Sequence, residues 1–101
     1  MTHVRVWKFR PPAGNEAEFA LAYGADGVWA DLFGKAPGFL GTSLYRPDEP
    51  GGWWMTVDRW SSAGDFESFG HDFGEEYRTL DSRLEGVAGK EEFVGAFEEA
   101  D

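Results

Sequence analysis

An α+β fold is predicted for this chain of 101 residues, and three observations predict it. Runs of alternating apolar and polar residues, typical of strands, lie near both ends and in the middle of the chain. The two middle runs follow each other with only a short loop rich in Pro and Gly between them. Segments with helical spacing separate these runs from the others. The resulting order, β-α-β-β-α-β, is that of a ferredoxin-like antiparallel sheet with helices on one face.

The first strand is predicted over residues 2–9, where β-branched and aromatic side chains alternate (THVRVWKF). The Pro- and Gly-containing segment 10–14 ends this strand. A helix is predicted to begin at Glu16, with Asn15 as its N-cap and Glu18 in its acidic first turn.

Two glycines, Gly24 and Gly27, interrupt the first helical segment. Helical spacing then resumes over residues 28–33 and ends at Gly34. We therefore expect two helical pieces with a bend between them, and such a bend can open a cavity beside the sheet.

The middle of the chain predicts an antiparallel hairpin. An Ala-Pro-Gly turn at residues 36–38 leads into a strand over residues 39–46, and a second strand covers residues 53–60. The acidic loop 47–52, with its Pro and Gly residues, suits the connection between them.

A longer helical segment follows, capped by Ser61 or Ser62 and weakened by Gly70 and Gly74, where we expect a kink. Its predicted buried stripe consists of Phe66, Phe69, Phe73, Tyr77, Leu80 and Leu84. Residues 86–89 end the segment, and a last strand is predicted over residues 91–97.

Both faces of the third strand carry large apolar side chains. Alternation places Trp53, Met55 and Val57 on one face. It places Trp54, Thr56 and Trp60 on the other face. Helices cover only one face of such a sheet, so we expect a second copy of the chain to cover the other face in a two-fold homodimer.

Composition narrows the classes of function. The chain carries a net charge of −10, and acidic chains are repelled by phosphate groups, so neither nucleic acid nor an anionic membrane is expected as a partner. Cysteine is absent, which excludes disulfides and thiolate chemistry. No apolar run approaches the ~20 residues of a membrane helix, and no signal-peptide core is recognisable. We expect one domain over residues 1–101 and a cytoplasmic location.

The five Trp, nine Phe and three Tyr residues exceed what the core of a small domain needs. This surplus predicts an aromatic pocket for a small aromatic molecule, a buried interface between two copies, or both. Tyr77 is a candidate for contact with a ligand oxygen, because its hydroxyl lies on the buried stripe and must find a partner. Tyr23, Trp29 and Phe33 are candidates for the facing wall.

Few residues suggest acid–base or metal chemistry. His71 is expected on the solvent side of its helix, opposite the buried stripe. His3 begins the first strand, and nothing around it in the sequence suggests a catalytic role. With these two His and no clustered ligands, no metal site is predicted.

Three charged residues interrupt otherwise apolar strands: Arg5, Asp58 and Arg59. We expect the arginines to pair with acids across a dimer, and the alternative is a clamp for an anion or enolate.

The chain resembles the antibiotic biosynthesis monooxygenase family of the dimeric α/β-barrel superfamily. The resemblance lies in the first strand (residues 4–9), the strand start PGFLG (37–41), the strand end VDRW (57–60) and the helix start at residues 63–69. It implies a pocket between the sheet and the helices of each protomer. It also implies oxidation of phenolic polyketide anthrones to quinones without a cofactor.

The resemblance also implies site residues. Trp60 matches a pocket Trp of the anthrone oxygenases, while Thr56 stands where they have Asn and Phe66 where they have Tyr. The haem-degrading relatives need Asn, Trp and His at positions where this chain has Trp7, Phe69 and Tyr77, so haem cleavage is not expected.

These observations leave three alternative functions for the protein. The first is an enzyme that binds a planar, polyketide-like aromatic substrate and oxidises it without a cofactor. Its catalytic residues are predicted to be Trp60 and Tyr77. Its predicted substrate-binding residues are Tyr23, Trp29, Phe33, Phe66, Thr56 and Phe73. The second alternative is a ligand-binding or accessory dimer that catalyses no reaction, favoured by the lack of a recognised internal base. The third is a purely structural dimer.

Overall fold

Four strands and four helices follow one another in the computed structural model, which describes residues 1–100 of the chain. They are β1 (His3–Arg10), α1 (Glu16–Tyr23), α2 (Val28–Phe33), β2 (Phe39–Tyr45), β3 (Trp54–Trp60), α3 (Ala63–Asp72), α4 (Gly74–Ala88) and β4 (Lys90–Glu98). The strands form one antiparallel sheet in the order β2-β3-β1-β4. The prediction of an α+β, ferredoxin-like fold is confirmed.

The first helical region is divided as predicted. Helix α1 ends at Tyr23, and α2 begins at Val28 after a turn through Gly24 and Gly27. A Cβ atom at Gly27 would overlap the carbonyl oxygen of Ala22, so the turn requires glycine there.

The predicted cap at Asn15 is wrong in one respect. Asn15 occupies the N-cap position of α1, but its side chain makes no capping hydrogen bond. Its backbone (φ −101°, ψ 7°) is outside the extended region that aims an N-cap side chain at the first turn. The carboxylate of Glu16 instead accepts a hydrogen bond of 2.7 Å from the backbone N–H of Gly14.

The second helical region is two helices rather than one kinked helix. Phe73 (φ −122°, ψ 19°) separates α3 from α4, directly before Gly74. Ser62, and not Ser61, caps α3 by accepting a hydrogen bond of 3.1 Å from the N–H of Asp65. The buried stripe continues across the break, with Phe69 on α3 and Leu80 on α4 most deeply buried.

The two faces of the sheet differ in their cover. The helices lie on the face that carries Phe9, Trp54, Thr56 and Trp60, all of which are buried. On the opposite face none of residues 1–100 fully covers Met55, which is 38% exposed, although Lys8 and Glu92 form an ion pair of 3.1 Å there. Within residues 1–100, no helix is both long enough and apolar enough to cross a membrane.

Candidate functional site

A cavity lies between the sheet and the helices. We call it the aromatic cavity, and its lining residues are Trp7, Phe9, Tyr23, Trp29, Phe33, Thr56, Asp58, Tyr77, Asp81 and Glu91. Its volume is about 90 Å³, and it opens to solvent on one side. This volume is closer to the ~150 Å³ cavity that takes up benzene than to the ~300–1,000 Å³ of pockets for drug-sized ligands. A ligand of several rings would therefore extend through the opening.

The floor of the aromatic cavity comes from the regular alternation of two adjacent strands. Thr56 and Asp58 are two residues apart on β3, so both point toward the helices. Trp7 on β1 is paired with Thr56, and Phe9 on β1 is paired with Glu91 on β4. Because paired residues of a sheet share a face, these side chains converge on one surface.

The walls come from helical spacing. Trp29 and Phe33 are four residues apart on α2, with ring centroids 5.7 Å apart. Tyr77 and Asp81 have the same spacing on α4. The rings of Trp29 and Tyr77 meet at 5.1 Å, so the two helices close the cavity at this contact.

Several polar groups of the lining have no partner within the protein. Thr56 is 5% exposed, and no side-chain hydrogen bond found among residues 1–100 uses its hydroxyl. The indole N–H of Trp29 is buried beside the Tyr23 hydroxyl, whose pKa it lowers, and makes no hydrogen bond of normal geometry. Because Thr56 borders the cavity, a ligand or water there is expected to supply the partner for its hydroxyl.

Asp58 is the carboxyl group of the cavity floor. Burial raises its pKa to about 6, against the opposing effects of a hydrogen bond from the Thr42 hydroxyl and the charges of Arg5 and Arg59. The Thr42 hydroxyl reaches Asp58 Oδ1 and also the backbone carbonyl of Val57, at 3.2 Å. The carboxyl group is thus held in place and is ionised at neutral pH.

The two arginines near Asp58 are occupied differently. Arg5 is the β1 partner of Asp58 in the sheet register, but no ion pair within 4.0 Å joins them. Its guanidinium lies 4.0 Å from the centre of the Phe66 ring and 4.7 Å from that of Phe93. Arg59 donates a hydrogen bond of 2.9 Å to the Ser43 hydroxyl. Neither arginine neutralises Asp58 by direct contact.

The phenolic and acidic groups of the walls hold their protons more tightly than usual. Burial raises the pKa of Tyr23 to about 12 and also raises that of Tyr77, and the nearby Asp81 and Glu91 add to both effects. Burial, followed by the charges of Asp81 and Glu85, raises the pKa of Glu91. Both tyrosine hydroxyls therefore stay protonated at neutral pH and can donate hydrogen bonds.

The structure brings five of the sequence-predicted site residues together in the lining: Tyr23, Trp29, Phe33, Thr56 and Tyr77. Three others, Trp60, Phe66 and Phe73, lie outside it. Trp60 is fully buried, and its neighbours form what we call the Trp60 cluster. This cluster consists of Trp60, Phe33, Phe39, Phe66 and Phe69, with the other rings 5.1–5.8 Å from that of Trp60. Phe73 stacks on Phe69 at 5.7 Å.

The histidines lie outside the aromatic cavity. The side chain of His71 is 89% exposed and contacts Asp72, as its position on the helix predicts. His3 is buried beside Phe66, with ring centroids 5.9 Å apart and Nε2 without a partner. In the part of the chain described, no three His, Asp or Glu residues are grouped to hold a metal ion.

Sequence reasoning missed Trp7, Phe9, Asp58, Asp81 and Glu91 as lining residues. For Asp58 a signal was available, since strict alternation puts it on the same strand face as Thr56 and Trp60. For Asp81 the four-residue spacing from Tyr77 was the signal. Glu91 could not be found this way, because its place depends on the register of β4 against β1.

Comparisons with known proteins agree with this architecture. The family model described as antibiotic biosynthesis monooxygenase matches residues 2–72. A search of curated proteins finds no match.

Similar folds occur among solved structures. A variant of SnoaB, a cofactor-independent oxygenase from Streptomyces nogalater, superposes with a TM-score of 0.75 at 18% identity, covering 99% of this chain and 94% of that one. The monooxygenase ActVA-Orf6 of Streptomyces coelicolor, in complex with nanaomycin D, gives 0.66 at 24% identity, covering 98% and 88%. A variant of MhuD with two manganese protoporphyrin IX molecules per active site gives 0.65 at 25% identity, covering 96% and 93%.

Proposed function

The chain belongs to the antibiotic biosynthesis monooxygenase family, and from this premise we propose that it binds a planar aromatic or phenolic small molecule in the aromatic cavity. We propose further that it oxidises this molecule with molecular oxygen and without a cofactor. The substrate is taken to be polyketide-like, with one ring inside the cavity and the others toward the opening.

The observation that carries this proposal is the combination of aromatic walls with unpartnered polar groups. Six of the ten lining residues are aromatic, which favours a flat apolar ligand. No side-chain hydrogen bond found among residues 1–100 uses the Thr56 hydroxyl, and Tyr77 keeps its hydroxyl protonated, which favours a ligand that also carries oxygen atoms. An ordinary core would have filled this space with side chains.

In this proposal the lining residues take defined roles. Tyr77 and Thr56 hydrogen-bond the ring oxygens, while Tyr23, Trp29 and Phe33 hold the ring and exclude water. Three predicted site residues support the wall without bordering the cavity: Trp60, Phe66 and Phe73. The ring of Trp60, for example, packs against that of Phe33 with centroids 5.8 Å apart.

The overall reaction balances without a further reagent. An anthrone methylene group (CH₂) reacts with O₂ to give a carbonyl group and water, so one oxygen atom enters the product and the other leaves as water. The first step is loss of a proton from the methylene group, which leaves an electron-rich enolate. Removing this proton and stabilising the enolate are what a cavity of this kind can contribute.

The test is aerobic quinone formation from a hydroxyanthrone, followed by absorbance with no added cofactor. We expect the parent to exceed buffer alone. Tyr77→Phe is expected to lower kcat/KM by about tenfold, because one neutral hydrogen bond to the ligand is lost. Tyr45→Phe is the matched control, since Tyr45 is exposed on the opposite face of the sheet.

Binding without turnover is the second candidate function, favoured by a cavity lining that has three acidic residues and no basic residue to stabilise an enolate. Titration calorimetry with a hydroxyanthraquinone separates the two. Saturable binding with no quinone formation would favour a ligand-binding or accessory protein. No binding and no turnover would contradict both candidates.

We propose also that the chain is a homodimer through the uncovered face of its sheet. The exposed apolar side chains of this face include Tyr45, Met55 and Phe97, and Phe97 is 50% exposed. Tyr45 and Met55 are directly paired on neighbouring strands, and exposed apolar side chains grouped on one sheet face are typical of an interface. Light scattering at micromolar concentration should give twice the chain mass of 11.3 kDa. Phe97→Glu should lower that mass, whereas Leu21→Glu on exposed α1 should not.

A further inference from the structure

Asp58 is a partly buried carboxyl group in a cavity whose other floor residues are apolar or neutral, apart from Glu91 at the end of β4. We propose, resting on the function proposed above, that the Asp58 carboxylate is the base that takes the proton from the bound substrate. The chain would then carry its own base on β3, although no internal base was recognised in the sequence.

The position of Asp58 is fixed from both neighbouring strands. It is paired with Thr42 on β2 and with Arg5 on β1, in the middle of the sheet. Thr42 is buried and its hydroxyl donates to Oδ1. None of the side-chain hydrogen bonds found in residues 1–100 reaches Oδ2. One oxygen of the carboxylate is therefore anchored, and the other remains available to a ligand.

The charge of Asp58 is not cancelled by a contact. Arg5, its register partner, stacks between two phenyl rings instead of forming an ion pair within 4.0 Å. A buried carboxylate without a direct ion partner costs free energy, and proteins retain such groups mainly where they act. Arg5 still contributes a positive field, which keeps the group ionisable.

The remaining surroundings set its protonation. The charged and titratable groups around Asp58 are Arg5 on β1, Arg59 on β3, Tyr23 on α1, Tyr77 and Asp81 on α4, and Glu91 on β4. Burial opposes the ionised form, whereas the hydrogen bond from Thr42 and the charges of the two arginines favour it, with the pKa of Asp58 at about 6 as the result. At neutral pH the group is then a carboxylate, and its basicity is close to the optimum for a general base at this pH.

Hydrogen-bond donors are available for the charge that the substrate acquires. The indole N–H of Trp29 is unpartnered, and the raised pKa of Tyr77 keeps its hydroxyl protonated. Both residues line the same cavity as Asp58. A negative oxygen on the ligand could accept from the Tyr77 hydroxyl, as in other sites that stabilise enolates or oxyanions, whereas the enclosed Trp29 nitrogen would first have to shift toward the cavity.

The proposed step can be written with every bond accounted for. The C–H bond of the substrate methylene breaks and an O–H bond forms at Asp58. The electron pair of the broken bond moves onto the ring system and its oxygen, giving the enolate. Molecular oxygen is then the oxidant that accepts electrons from the enolate, and Asp58 releases its proton to water.

Hydrogen–deuterium exchange without oxygen tests this step alone. A hydroxyanthrone is incubated with protein in anaerobic D₂O, and deuterium at the methylene carbon is followed by NMR. We expect the parent to accelerate exchange over buffer and Asp58→Asn to lose that acceleration by a factor of about 10²–10⁴, with ligand affinity changed by less than about threefold. Asp48→Asn, in the exposed hairpin loop, is the control that should behave as the parent.

A pH profile distinguishes a base from a structural residue. In the parent, kcat/KM and anaerobic exchange should both rise as pH increases through about 6, because only the ionised carboxylate accepts a proton. Asp58→Glu retains a carboxylate and should retain this limb with a shifted midpoint. Asp58→Asn should lack the limb. If Asp58→Asn fails to fold, the presence or absence of the limb in the parent and in Asp58→Glu decides the question.

The outcomes separate this inference from the proposed function. If the parent turns over the anthrone while Asp58→Asn keeps both its exchange rate and its pH profile, Asp58 is not the base and the oxygenase proposal survives. If the parent neither exchanges nor oxidises the anthrone, the oxygenase proposal fails and the role of Asp58 fails with it.

Discussion

Trp29 and Trp60 are the same residue type in two regions that differ in what surrounds them. Both are nearly buried, with exposed fractions of 7% and 0%, and both have an indole N–H without a partner. Trp60 belongs to a filled cluster of rings, whereas Trp29 borders the aromatic cavity. Phe33 contacts both tryptophans and so forms the wall between the two regions.

The difference arises from the residues that face each tryptophan. Phe39 meets Trp60 at 5.1 Å and Phe69 meets it at 5.3 Å. Trp29 lies above a part of the sheet where β3 supplies Thr56 and Asp58, which are too short to fill the space below the helices. Aromatic content alone therefore does not mark a site, and the small polar residues opposite the rings do.

The largest expected effect concerns stability. Trp60→Ala removes a fully enclosed ring and should lower the free energy of unfolding by about 3–5 kcal/mol. Trp29→Ala should cost clearly less, because part of its ring already faces a cavity. Urea denaturation of both variants measures the difference. Equal losses would show that the two regions are packed alike, which would remove the basis of the comparison.

The pH dependence of stability tests the carboxyl group that distinguishes the cavity. The pKa of Asp58 rises on folding from its ordinary 3.8 to about 6, so its stabilising contribution is complete below about 3.8 and is lost as pH rises through about 6. The difference between these two pKa values corresponds to at most about 3 kcal/mol of unfolding free energy.

Asp58→Asn should remove that dependence. Between pH 4 and pH 7 the parent is expected to lose stability relative to Asp58→Asn, as measured by urea midpoints at each pH. Asp48→Asn provides the baseline, since Asp48 is exposed. Parallel curves for the parent and Asp58→Asn would indicate that Asp58 is not perturbed by burial.

Two threonines on neighbouring strands differ in whether their hydroxyl has a hydrogen-bond partner within the protein, and this difference should appear in their contributions to stability. Thr42→Val should cost about 1–2 kcal/mol of unfolding free energy, because its hydroxyl donates to Asp58 Oδ1, with the carbonyl of Val57 as the alternative acceptor. Thr56→Val should change stability by less than about 0.5 kcal/mol, since no hydrogen bond found in the described residues uses its hydroxyl. Thermal unfolding measures both, and a larger loss at Thr56 would argue for a partner within the protein.

The smallest expected effect is on ligand selectivity at the cavity opening. Three lining residues are acidic (Asp58, Asp81 and Glu91), and none of the lining residues is basic. A ligand that carries a carboxylate should therefore bind more weakly than its neutral amide. Glu91→Gln should reduce this preference by about two- to threefold, and Glu98→Gln should leave it unchanged. Titration calorimetry at two ionic strengths checks the effect, which salt should weaken.

Much of the fold could be predicted because each element has a local signal. The two glycines after α1 predict the bend, and alternation on β3 predicts which residues face the helices. A kink was expected at Gly70 and Gly74, but not a complete break at Phe73, since the apolar stripe continues through it with unchanged spacing. Local patterns describe which face is buried, but they do not describe how a helix is divided when both parts bury the same face.

The site could be predicted only in part. Helical spacing placed Trp29, Phe33 and Tyr77 on buried faces, and the structure brings them together. Trp60 carries the same buried signal, yet it packs in the cluster, because whether a ring borders a cavity depends on the residues opposite it. Those residues come from other strands and helices, and their positions are set by tertiary packing.

The most direct test of the account is the same substitution in both regions, Trp29→Phe and Trp60→Phe. Affinity for a hydroxyanthraquinone is measured by titration calorimetry, and folding is checked by thermal unfolding. We expect Trp29→Phe to weaken binding by about tenfold, because the cavity loses ring surface and a hydrogen-bond donor, and Trp60→Phe to change it by less than about twofold. Weaker binding in Trp60→Phe with no change in Trp29→Phe would place the ligand elsewhere and contradict the account.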